Sequence, residues 1–165
     1  MKILLLEDNP THRREAEKII LAYGHELVYS LGVLHTGWSP DLKKVEGAIL
    51  DVHVGFSTWD PITRTEGVRG ADSPGGVHLA LECLDEGIPV VFCTDANHHG
   101  NKVEWLHRSI PTLRRLIGEK AKVCLIDSSP TEEERCETLA TWTGQKKPWE
   151  DALFALVSLS KGQDP

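Results

Sequence analysis

The stretch Ile3-Leu4-Leu5-Leu6-Glu7-Asp8-Asn9-Pro10 decides how this chain reads. An uninterrupted apolar run cut off by two carboxylates has the pattern of a short strand buried on both faces. A helix start follows at once. Asn9 is placed to cap it and Pro10 to occupy its first position. Ala16, Ile19, Ile20 and Tyr23 then fall on one helical face, and Gly24 is placed to stop the helix.

The same grammar recurs outward along the chain. Apolar runs at 48–50, 90–93 and 123–126 read as further buried strands, with a weaker run at 25–29. Helical stripes lie between and after them. One comprises Val77, Ala80, Leu81 and Leu84, ended by Gly87. A second comprises Val103, Leu106, Ile110, Leu113 and Ile117, kinked at Pro111. The last comprises Trp149, Ala152, Leu153, Leu156 and Leu159. Strands alternating with helices predict an α/β domain whose parallel sheet is covered on both faces. Two segments break the rhythm. Residues 55–74, rich in Gly and Pro, read as a long loop. Residues 128–147 read as an acidic helix capped by Ser129 and ended near Gly144. The expectation is a single domain, 1–165, with insertions at about 55–74 and 128–147.

Composition bounds the function. With 165 residues, 40% hydrophobic and 26% charged, the chain has the make-up of a soluble globular domain. A net charge of -7 argues against a nucleic-acid surface. No apolar run is long enough to cross a bilayer, and the apolar N-terminus is too short for a signal peptide. The 4 cysteines include no CxxC pair, and Cys93 and Cys124 fall inside apolar runs, which suits buried thiols in a reducing cytoplasm. The 8 histidines lack zinc-site spacing.

Ligand chemistry in an open parallel sheet gathers beyond the C-terminal strand ends. Each strong run here ends beside a carboxylate: Glu7 and Asp8, then Asp51, then Thr94 with Asp95, then Asp127. Convergent carboxylates repel unless a cation sits among them. An all-oxygen set suits Mg²⁺, and Asp51 is placed to accept a phosphoryl group as an acyl phosphate, with Thr94 as a hydroxyl donor.

These residues carry a resemblance. ILLLEDNP, GAILDVHV, GGVHLALECLDEGIPVVFCTDA and KKPWEDALFALVSL together resemble the response-regulator receiver domain of two-component signalling, over about two thirds of the chain. The resemblance implies a doubly wound, five-stranded, flavodoxin-like sheet of order 2-1-3-4-5. It implies Glu7, Asp8 and Asp51 as Mg²⁺ ligands, with the backbone carbonyl of His53. It implies Asp51 as phosphoacceptor, Thr94 as switch hydroxyl and Lys147 as the phosphoryl-pairing cation. The implied partners are a sensor histidine kinase or phosphotransfer protein and a downstream protein, with a homodimer as one arrangement and no direct nucleic acid or membrane contact. The domain would be a switch rather than an enzyme, with no output domain after the last helix.

The chain also departs from the pattern. Asp95 stands where the family places a small residue, and 55–74 replaces a short loop, which would let it act as a lid. The lysine has two registers. Lys147-Pro148 precedes the better apolar stripe, whereas Ser129-Pro130 directly follows the last strand and supplies no lysine. The aromatic residue expected shortly before the lysine is absent, with Trp142 the nearest. Two rival functions stay open: a receiver-like interaction module that is never phosphorylated, and a Mg²⁺-dependent phosphohydrolase, against which His53 stands where a second aspartate would be needed.

Overall fold

Strand β1 (Lys2–Leu6) buries everything after its first residue, and its alternation divides the core. Ile3 and Leu5 project into one apolar cluster, while Leu4 and Leu6 project into another. In the computed structural model the described residues are 1–35, 39–52, 54, 56–60, 65–69, 75–94, 110–111, 122–127 and 147–163, with 56–60, 65–69 and 127 described by backbone alone.

Helix α1 (Pro10–Ala22) begins at the Asn9 cap, whose side-chain oxygen accepts from the N–H groups of Thr11 at 2.9 Å and His12 at 3.4 Å. It packs Ala16 and Ile20 against the Ile3/Leu5 face. Strands β2 (Glu26–Leu31), β3 (Leu34–His35) and β4 (Gly47–Leu50) follow, then β5 (Phe56–Asp60) and β6 (Thr65–Arg69). Helix α2 (Gly75–Asp85) covers the Leu4/Leu6 face with Leu79, Ala80, Cys83 and Leu84. After β7 (Val90–Thr94) and β8 (Val123–Asp127), helix α3 (Trp149–Ser160) returns to the first face.

The main sheet has the order β2-β1-β4-β7-β8, and every pair in it is parallel. Counting only its own strands, that is second-first-third-fourth-fifth, the doubly wound flavodoxin-like order. The chain reverses direction across the sheet between β1 and β4, so the crevice at their C-terminal ends is the topological switch point. Pairing of Leu6 with Leu50 brings the residues after both strands together at that edge, where the Asp51 N–H donates to the Leu6 carbonyl at 2.8 Å.

The loop expected over 55–74 is corrected by the structure. Within it, β5 and β6 form an antiparallel ladder from Phe56↔Arg69 to Asp60↔Thr65, and β5 also pairs in parallel with β3. Phe56, Thr58, Trp59, Thr65 and Val68 are β-forming residue types, and the surrounding Gly and Pro mask them in the sequence. The small sheet is rooted in the core through Leu34, Val52 and Val54, all buried with Leu4 and Leu6. The lid reading depends on side chains outside the described residues. So do most of the stripe from Val103 to Ile117 and the helix expected after Ser129.

One close approach fixes α2 on the backbone that follows β4. The N–H of Gly76 donates to the Val52 carbonyl at 3.2 Å, and a Cβ on Gly76 would overlap the Asp51 carbonyl oxygen. Gly76→Ala must therefore push α2 off the backbone of residues 51–52. The expected cost is about 2 kcal/mol of unfolding free energy, measurable by urea denaturation, whereas Leu81→Ala on the exposed side of α2 should change little.

Candidate functional site

Four side chains meet at the switch point. Glu7, Asp8 and Asp51 each present a carboxylate oxygen, and these oxygens lie within 4.8 Å of one another. The Lys147 ammonium reaches into the same space, 2.6 Å from Glu7 Oε2 and 3.1 Å from Asp51 Oδ2. Glu7, Asp51 and Lys147 are buried, while Asp8 faces solvent. Lys147 arrives on the segment that opens α3, and its ammonium sits 5.5 Å from the centre of the Trp149 ring, within cation–π range.

Glu7 is held at every polar atom. Its N–H donates to the Leu31 carbonyl at 2.9 Å, and its own carbonyl accepts from Arg13 Nη1 at 3.0 Å. Oε1 accepts from the Asn9 N–H at 3.0 Å, and Oε2 accepts from Lys147. His12 Nδ1 stands 4.0 Å from Oε1. Asp51 Oδ1 accepts from the Val52 N–H at 2.8 Å, which aims the other oxygen at Lys147. Thr94, at the end of β7, is buried with its hydroxyl oxygen lacking a hydrogen-bond partner among the described residues. A buried orphan of this kind needs a reason.

The electrostatics are those of an under-neutralised pocket. Burial pushes the Glu7 carboxyl up to about 7; Lys147 opposes that rise and Asp51 adds to it. Burial and the Asp51 charge also raise Asp8, against the pull of Lys147. Burial works to lower the Lys147 pKa, but Asp51 and Glu7 outweigh it and the net shift is upward. Among the described residues, one ammonium thus faces three carboxylates. The donor set is all oxygen, closely spaced and in excess of its internal cation, which fits a hard divalent ion such as Mg²⁺.

The residues named from sequence as Glu7, Asp8, Asp51, Thr94 and Lys147 therefore lie at one sheet edge. His53, Asp95, Trp142 and the Ser129-Pro130 alternative lie outside the described residues. Cys83, Cys93 and Cys124 are buried, and burial drives the Cys83 thiol up to about 12. Sequence reasoning passed over Arg13, His12 and Gly76. Arg13 and His12 were readable as first-turn residues of a helix starting at the acidic pair, but their contacts depend on how α1 leaves β1.

Solved structures this chain is similar to include response-regulator receiver domains. A receiver domain protein (CheY-like) from Methanospirillum hungatei JF-1 aligns over 98% of this chain and 97% of its own, at 12% identity and a TM-score of 0.48. A receiver protein from Pseudoalteromonas atlantica covers 96% of this chain and 98% of its own, at 12% identity and a TM-score of 0.44. NtrX from Brucella abortus, in complex with ADP, covers 98% of this chain and 28% of its own, at 19% identity and a TM-score of 0.41. No family model and no curated protein matches the chain. The fold rests on the strand order, and the site on its own distances.

The pocket charge gives a pH signature. Glu7 binds its proton more tightly folded than unfolded, since its pKa rises from 4.5 to about 7. Between those values the folded state holds more protons, so stability falls as pH rises through that window. Asp8 shifts in the same direction and contributes the same sign. In chelator, urea midpoints should decline from pH 5 to pH 8, and Glu7→Gln should flatten the profile. A wild-type profile that rises over this range would contradict the assigned charge balance.

Proposed function

We propose that this chain is a single receiver-like signalling domain in which Asp51 accepts a phosphoryl group from a phosphohistidine donor. The observation that carries the reading is the placement of Lys147 against Asp51 Oδ2 at 3.1 Å, beside the Glu7–Asp8 pair, with Thr94 at the end of β7 holding a buried hydroxyl that has no partner among the described residues. An isolated strand-end aspartate needs none of these neighbours.

In this mechanism an Asp51 carboxylate oxygen attacks the donor phosphorus. The new P–O bond forms as the P–N bond to the donor imidazole breaks, and the electron pair leaves with the imidazole. Mg²⁺, held by Asp8, Asp51 and Glu7, would supply charge neutralisation for the transferring phosphoryl oxygens. Lys147 shifts its ion pair from the Asp51 carboxylate to the phosphoryl oxygen, remaining anchored on Glu7. Thr94 then has an acceptor for its buried hydroxyl, and its movement toward that acceptor is the local event a partner would read. The partners on this reading are a sensor kinase or phosphotransfer protein upstream and a protein downstream.

A second reading is favoured by the same lysine. Because Lys147 already bridges Glu7 and Asp51, the pocket can close on itself, and the domain would then serve as an unphosphorylated interaction module. Incubation with a small phosphoramidate donor and Mg²⁺, followed by intact-mass measurement, separates the two. The expected result is one phosphoryl adduct, labile to hydroxylamine and absent from Asp51→Asn. An unchanged wild-type mass would favour the interaction module, and an adduct persisting in Asp51→Asn would remove Asp51 as the acceptor.

A further inference from the structure

The first turn of α1 carries a cation that phosphoryl chemistry does not call for. Arg13 Nη1 donates to the Glu7 carbonyl at 3.0 Å. Its guanidinium occupies the space that a side chain on residue 32 would fill. A Cβ on Gly32 would overlap Nη1 and come within 3.1 Å of Cζ. Gly32 is not at positive φ, so the glycine there supplies room rather than a special backbone conformation. It directly follows Leu31, whose carbonyl takes the Glu7 N–H at 2.9 Å.

The carbonyl that Arg13 grips belongs to the peptide joining Glu7 to Asp8. That peptide is planar, so holding its oxygen constrains ψ of Glu7 and φ of Asp8, and with them the directions in which the two Cα–Cβ bonds leave the backbone. We infer that Arg13, seated on Gly32, is a positioning residue that sets the relative aim of Glu7 and Asp8 toward a divalent cation. The inference rests on the acidic-pocket reading and extends it to residues that touch neither cation nor phosphoryl group. Charge alone argues the other way, because a guanidinium beside a cation pocket repels the cation. Its presence there is explained by the hydrogen bond it makes.

This opposition of signs supplies the test. Mg²⁺ is titrated calorimetrically into the wild type, Arg13→Gln, Gly32→Ala and the double variant, with thermal melts in chelator to confirm folding. Loss of an outer hydrogen bond that orients a metal ligand typically weakens binding by about tenfold or more. Each single variant should therefore bind Mg²⁺ about tenfold more weakly. The double variant should be no weaker than Arg13→Gln, because Gly32 acts only through Arg13. Wild-type binding with unchanged or tighter binding in Arg13→Gln would overturn the inference and leave the pocket standing. Additive losses would overturn Gly32 as the seat. No Mg²⁺ binding by the wild type would remove the pocket reading and the inference together. If Arg13→Gln does not fold, Gly32→Ala decides alone, since it leaves every charge in place and unchanged affinity there overturns the proposal.

Discussion

A buried ammonium between two buried carboxylates organises the functional edge of this protein. Lys147 joins the segment entering α3 to residues after β1 and β4, across a sequence separation of 140 residues to Glu7. Desolvating these charges costs several kcal/mol per ion, and only close geometry with further hydrogen bonds recovers it. The site meets that demand. The Glu7 carboxylate also accepts from Asn9, and the second Asp51 oxygen accepts from Val52. The Trp149 ring gives the ammonium a polarisable neighbour on another side. Breaking such an arrangement by removing one partner typically costs about 3–5 kcal/mol, so the contact is structural whatever ligand the pocket takes.

The same contact balances two uses of the pocket. With Lys147 in place the carboxylates are only partly neutralised, which is why burial still lifts Glu7 and Asp8 above their ordinary range. A divalent ion would relieve that residual charge and compete with Lys147 for the same oxygens. On the proposed reading the lysine would stay tethered through Glu7 while exchanging its second partner.

Much of this architecture was legible in the sequence because short-range rules carried it. The apolar run ending at Glu7-Asp8, the Asn9-Pro10 helix start and the stripe from Trp149 to Leu159 each satisfy a local period, and β1, α1 and α3 follow them. The parallel order placed the acids of β1 and β4 at one edge before any distance was known. The small sheet was not legible, since β3 is only two residues long and β5 gains stability from pairing with a distant strand. The choice between Lys147 and Ser129-Pro130 was equally closed to local reading, because it depends on which segment returns to β1. Arg13 and Gly32 were hidden for a related reason: neither breaks a pattern, and their connection exists only once β2 lies beside β1.

The small sheet has a further consequence for Asp51. On one side of it, Leu50 is locked by pairing to Leu6 and Phe92; on the other, Phe56 is locked by pairing to Leu34 and Arg69. Gly76 lies close against the backbone of residues 51–52. A carboxylate carried on so short a tether between two ladders surrenders most of its backbone entropy when the chain folds. On the proposed reading of Asp51 as a nucleophile, little would remain to be lost when a reacting partner arrives, which is the thermodynamic advantage of preorganisation.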